Sequence, residues 1–171
     1  FITISSALSA FYKSALTAAD LLQQESPQTH IRVIDSRTAA SGQGLTVLAA
    51  AKAAAQGMTL DQLASIAEQV RQQTGTFILL DTVRYVYRTG RAPKLASMIG
   101  SMLGVKPLLR VSDKGELHPA GVSRTTEGSI RKMLELVRKD AGTDTLHFMI
   151  MHADAPQVAE ELAERLKGEF D

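Results

Sequence analysis

Short apolar runs of strand character and longer stretches with helical periodicity take turns along the whole chain, and this alternation limits the fold more than any other feature. Ile2 and Ile4 read as the end of a buried strand. A helix is predicted over about Leu8 to Gln24, with Phe11, Ala15, Ala18 and Leu22 along one face. Ser26-Pro27 stops it, because a residue before proline is pushed out of the helical region. Ile31 to Ile34 reads as a short strand that runs into Asp35-Ser36-Arg37-Thr38. Gly42 and Gly44 open a second helix, which Gly57 ends. A third helix starts at a Thr59/Gln62 capping box, carries Leu60, Leu63, Ile66, Ala67 and Val70 at helical spacing, and closes at Gly75.

The second half repeats the scheme. Phe77 to Leu80 is a continuous apolar run, as in a strand buried on both faces, and it delivers Asp81-Thr82. A short helix ends in Arg88-Thr89-Gly90-Arg91, and another carries Leu95, Met98, Ile99, Met102 and Leu103 before Gly104. Leu108 to Val111 and Leu117 to Val122 form a hairpin around Ser112-Asp113-Lys114-Gly115. After Arg124-Thr125-Thr126, a helix turns Ile130, Met133, Leu134 and Val137 inward. Leu146 to Met151 is expected to be a last buried strand ending at His152, and Pro156 suits the first turn of a last helix. Such a series specifies an α/β protein with parallel or mixed sheets covered by helices. The boundary falls between the third helix and the Phe77 strand, giving residues 1–75 as the remainder of a first α/β domain and 76–171 as a second. The chain starts without Met, in a strand entering a loop, so the first elements of the fold are expected to be missing.

Composition narrows the function classes. Of 171 residues, 44% are hydrophobic and 22% charged, as in an ordinary folded protein. A net charge of +1 supplies no electrostatic reason to bind nucleic acid or an acidic membrane surface. The chain has no cysteine, which removes disulfides, thiolate catalysis and thiolate metal sites and fits a cytoplasmic protein. No apolar run is long enough for stable membrane insertion.

The polar residues gather where strands end. Ser5-Ser6, Asp35-Ser36, Asp81-Thr82 and His152 each follow a predicted strand, the edge at which open α/β sheets bind ligands. Ser5, Ser6 and Ser9 lie at a helix start, where free N–H groups and the helix dipole favour an anion. The alternative is that one serine only caps the helix, worth about 1 kcal/mol. His152 is placed to donate to a carboxylate or phosphate, or else to bond a nearby carbonyl structurally. Arg88, Arg91 and Arg124 stand beside turns, where arginine can clamp an oxyanion; for Arg88 a solvated surface charge is the better reading. Gly42-Gln43-Gly44 lacks the Lys-Ser/Thr of a phosphate loop and the third glycine of a dinucleotide fingerprint. No second histidine clusters with His152, so no metal site and no cofactor are expected. Ser6 is not in a nucleophile elbow. A small Ser/His hydrolase or phosphotransferase using Ser6 and His152 is the enzyme alternative, and a protein kept for interaction alone is a third.

The ordered segments resemble the DegV family of bacterial fatty-acid-binding proteins. The resemblance rests on Ile4-Ser5-Ser6-Ala7-Leu8-Ser9-Ala10-Phe11-Tyr12, Val33-Ile34-Asp35-Ser36-Arg37-Thr38, Ser41-Gly42-Gln43-Gly44 and Leu80-Asp81-Thr82-Val83-Arg84-Tyr85. Thr89-Gly90-Arg91, Lys106-Pro107-Leu108-Leu109, Arg124-Thr125 and His152-Ala153-Asp154 continue it in the family's order. It implies a two-domain DegV-like (EDD) fold lacking the N-terminal part. It also implies one long-chain fatty acid as ligand, its carboxylate near the interdomain cleft, presented to a fatty acid kinase subunit that makes acyl phosphate for phospholipid synthesis. By position, Ser5 or Ser6 and His152 would contact the carboxylate, while Arg91 and Arg124 would line the mouth or the partner-facing surface. The chain departs from the family at Ala10 and Phe11, where glycine and threonine are usual, and at Thr89-Gly90-Arg91, where Gly-Gly-Arg is usual.

Overall fold

Two parallel strands of two residues each, β1 (Ile2–Thr3) and β2 (Ile34–Asp35), pair Ile2 with Ile34 and Thr3 with Asp35. Because they run the same way, Ser5-Ser6 and Ser36-Arg37 leave the sheet at the same edge. The computed structural model describes residues 1–91, 104–142 and 145–170. It divides into one unit of Phe1–Thr76 with Val111–Leu117 and a second of Phe77–Arg110 with His118–Asp171. The predicted helix bearing Leu95, Met98, Ile99, Met102 and Leu103 lies outside the described residues.

In the first unit, helix α1 spans Phe11–Glu25, not Leu8 to Gln24. Residues 5–9 instead make a single turn, with the N–H groups of Leu8 and Ser9 donating to the Ser5 carbonyl at 3.0 and 3.1 Å. Ser9 Oγ accepts from the Phe11 N–H at 3.3 Å, and Ala10 occupies the N-cap without a side-chain bond. Ser5 and Ser6 are therefore not helix caps. The apolar face read from Phe11, Ala15, Ala18 and Leu22 is not buried: α1 has no buried residue, and Phe11, Leu21 and Leu22 are exposed.

Helix α2 (Ala40–Ala55) and helix α3 (Leu60–Gln73) pack on each other. The capping box is present: Thr59 Oγ1 accepts from the Gln62 N–H while the Gln62 side chain accepts from the Thr59 N–H at 2.8 Å. Gly42, in the first turn of α2, approaches a buried hydroxyl pair, Thr38 and Thr76, whose oxygens are 2.8 Å apart. A Cβ at Gly42 would lie 2.2 Å from Thr76 Oγ1, so only glycine admits this contact.

The second unit holds a three-stranded sheet ordered β3 (Phe77–Leu79), β4 (Lys106–Val111) and β5 (Leu117–Ser123), with the short helix α4 (Arg84–Arg88) after β3. β3 pairs antiparallel with β4, and its residues are half-buried, not covered on both faces as the apolar run suggested. Leu108 and Leu109 on β4 are fully buried. Helices α5 (Thr126–Ala141) and α6 (Pro156–Glu169) contribute Ile130, Leu134 and Leu166 to one cluster, flanked by Leu79, Ile150, Val158, Leu162 and Phe170. Thr125 caps α5 by accepting from the Gly128 N–H at 3.0 Å. A two-pronged ion pair ties the two helices together, Arg165 meeting the Glu127 oxygens at 2.8 and 2.7 Å.

The expected buried strand at Leu146 to Met151 is not formed. The segment carries no ladder, and Phe148 and Met151 are exposed. An apolar run shows what could be buried, but a strand also needs a neighbour for its backbone groups.

Two expectations follow from this packing. Gly115 has φ +77°, and a Cβ there would stand 2.1 Å from Ser5 Oγ. Gly115→Ala should cost about 2–4 kcal/mol in chemical denaturation, from left-handed backbone strain and overpacking together. The Glu127 carboxyl is held below the usual glutamate range by its hydrogen bond with Arg165. A lowered folded value means the contribution is present above the unfolded value and fades as pH falls through the folded one. The melting-temperature gap between wild type and Glu127→Gln should therefore shrink on acidification through the carboxylate range; a gap independent of pH would contradict this.

Candidate functional site

The polar edge of the first unit is organised by Asp35. Its Oδ1 accepts from the Ser6 N–H at 3.1 Å and from the Arg37 N–H at 2.8 Å, and its Oδ2 accepts from Ser6 Oγ–H at 2.5 Å. One carboxylate thus fixes the loops leaving both parallel strands. It also supports Arg37, whose φ of +48° is a left-handed conformation that costs a non-glycine residue about 1–2 kcal/mol. Arg37 itself is exposed.

Ser5, the neighbour of Ser6, is fully buried. Its hydroxyl donates to the Gly115 carbonyl at 2.8 Å and accepts from the Ala7 N–H at 3.2 Å, while its own N–H donates to the Thr38 carbonyl at 2.8 Å. Ser36 is buried too, with its hydroxyl donating to the Thr38 carbonyl at 3.2 Å. A serine has one proton to donate, and in Ser5, Ser6 and Ser36 that proton is committed within the protein. The loop N–H groups of residues 6–9 are likewise engaged, so the local anion cradle expected from a helix start is not formed here.

In the second unit His152 is exposed in the loop before α6, and its Nδ1 accepts from the Ala155 N–H at 3.3 Å. In the neutral ring an accepting Nδ1 puts the proton on Nε2, which leaves Nε2–H as a donor. Asp154, with φ +55°, bends the chain between these two contacts. Asp81, after β3, pairs with Lys106 Nζ at 2.6 Å. Arg124 lies exposed in the turn before α5, and Arg91 lies exposed after α4. Ser5 and Ser6 thus belong to the first unit, and His152, Arg91 and Arg124 to the second. Among the described residues no group of three His, Asp or Glu side chains is placed to hold a metal ion. Among the described residues no helix is long and apolar enough to cross a membrane.

Two roles were not read from the sequence pattern: Asp35, placed at a strand end, is the acceptor that organises that edge, and Gly115 is the partner of Ser5. Asp35 had a local signal, since an Asp beginning Asp-Ser-Arg-Thr bonds readily to the N–H two residues on. Gly115 had none, because its contact spans 110 residues.

The two serines are expected to behave differently. Ser5→Ala leaves the buried Gly115 carbonyl without its donor and should cost about 1–3 kcal/mol by denaturant titration. Ser6→Ala, at an exposed position, should cost less than Ser5→Ala in the same measurement.

The DegV family model, described as "Uncharacterised protein, DegV family", matches residues 1–171. A DegV domain-containing protein of Clostridium perfringens is 32% identical over 171 residues, covering 99% of this chain and 59% of that protein. Among solved structures, the Streptococcus pneumoniae fatty acid kinase (Fak) B3 protein loaded with linoleic acid superposes with a TM-score of 0.90 at 22% identity, over 99% of this chain and 60% of its own. A stearic acid-binding protein of Eubacterium ventriosum matches with a TM-score of 0.73 at 26% identity, over 81% of this chain and 47% of its own. The chain thus spans about three fifths of the first two of these proteins and somewhat under half of the third. With the mixed α/β fold and a family match along its whole length, this chain belongs to the DegV family.

Proposed function

We propose that the protein binds a long-chain fatty acid by its carboxylate, leaves it chemically unchanged, and presents it in the cytoplasm to a partner kinase that phosphorylates it for phospholipid synthesis. The observation that carries this reading is the likeness, at 26% identity, to a protein that binds stearic acid. The likeness in fold to a fatty acid kinase B3 protein supports the step of presentation.

The local chemistry supports His152 as one carboxylate ligand. An exposed imidazole whose Nδ1 is turned to the Ala155 N–H offers Nε2–H as a donor, and a carboxylate is an acceptor-only group that takes such a donor well. Of the two serines, Ser6 is the better candidate, because its hydroxyl is exposed and bonded to a side chain, whereas Ser5 is locked under the Gly115 turn. Arg124 and Arg91, exposed and cationic, are the residues assigned to the mouth or to the surface that faces the kinase.

Lipid extraction of the purified protein followed by mass spectrometry should recover a long-chain fatty acid. His152→Ala should weaken fatty-acid binding by about 10- to 100-fold, as expected for losing one hydrogen bond to a charged group. Failure to bind any fatty acid overturns the proposal. Ester turnover that disappears in Ser6→Ala replaces it with the hydrolase reading.

A further inference from the structure

The hydroxyl of Ser6 already has a carboxylate. Ser6 Oγ–H donates to Asp35 Oδ2 at 2.5 Å, and the Ser6 N–H donates to Oδ1 of the same group at 3.1 Å, so both of its donors face one carboxylate. That grip has the form a bound anion would adopt: one acceptor group taking a hydroxyl and a backbone N–H at the end of a parallel strand. A fatty-acid carboxylate can only accept, so it receives the Ser6 Oγ–H hydrogen bond only when that donor leaves Asp35. The exchange replaces one charge-assisted bond by another of the same kind and yields little net free energy. It also brings a second negative charge toward the first, which is unfavourable.

We infer that Asp35 is the internal competitor of the ligand at Ser6, a residue that lowers and thereby sets the affinity for a carboxylate head. This rests on the fatty-acid reading above. Two observations show that the pairing is built and not incidental. Asp35 sits directly opposite Thr3 in the β1–β2 register, so the strands themselves bring it alongside the loop that carries Ser6. Its remaining bond, from the Arg37 N–H at 2.8 Å, fixes the carboxylate from the other side. A neutral amide at this position keeps an acceptor for these donors but loses the charge, and a ligand carboxylate then competes for Ser6 Oγ–H on better terms.

The test is a double-mutant cycle with palmitate as the probe, read as Kd by calorimetry on wild type, Asp35→Asn, Ser6→Ala and the double variant. Asp35→Asn should bind palmitate roughly tenfold more tightly, the size expected for exchanging a charged competitor for a neutral one. Adding Ser6→Ala should abolish that gain, so that Ser6→Ala is more damaging in the Asp35→Asn background than in wild type. Thermal melts of all four proteins report whether the fold is kept; the Asp35→Glu protein, which retains the charge, should show no tightening and serves as the second arm. Wild-type binding with no gain in Asp35→Asn, or a gain that survives Ser6→Ala, overturns the competition while leaving the fatty-acid reading intact. No palmitate binding by any of the proteins overturns both.

Discussion

The carboxylate of Asp35 is the contact on which the polar edge of the first unit depends. Two-residue strands contribute few ladder bonds, so their ends need further ties, and Asp35 provides three. It fastens the loop after β1 through the backbone and side chain of Ser6, and it holds Arg37 in a left-handed turn. The Ser5 hydroxyl, passed to the Gly115 carbonyl, pins the same loop to the Ser112–Gly115 turn from the buried side. The adjacent serines therefore do different work. One closes a buried contact, and the other, exposed, donates to a half-buried carboxylate.

This division explains why a doubled serine is poor evidence of a preformed anion site. A hydroxyl is counted as a donor only if its proton is not already given away, and both protons are. A cradle of backbone N–H groups would need an unpaired helix start, but the helix begins later than the expected Leu8, at Phe11, after the loop N–H groups have found partners. His152 is in the opposite condition. Its ring is exposed and oriented by one bond, Nδ1 accepting from the Ala155 N–H.

Much of the fold was legible in local chemistry. The Thr59/Gln62 box, the Pro156 start of α6, the hairpin around Ser112–Gly115 and the inward stripe Ile130, Met133, Leu134 all depend on neighbours within a few residues, and each formed as its pattern required. The misjudged elements were those whose state depends on distant partners. Phe77–Leu79 reads like a strand with two covered faces but is half-buried and antiparallel to β4. Leu146 to Met151 has the composition of a buried strand and no ladder. The apolar residues of α1 keep helical spacing, yet none of its residues is buried.

By itself, then, the amino-acid order determined the α/β alternation, the Thr59 cap, the Ser112–Gly115 turn and the family resemblance, because periodicity, capping and turn chemistry act over a few residues. Which donors are free was decided only in three dimensions. The Ser5 hydroxyl donates to a carbonyl 110 residues away, and the Ser6 hydroxyl donates to Asp35 across paired strands. A hydrogen bond is a matter of distance in space, and the distance along the chain says nothing of which acceptor a hydroxyl has engaged.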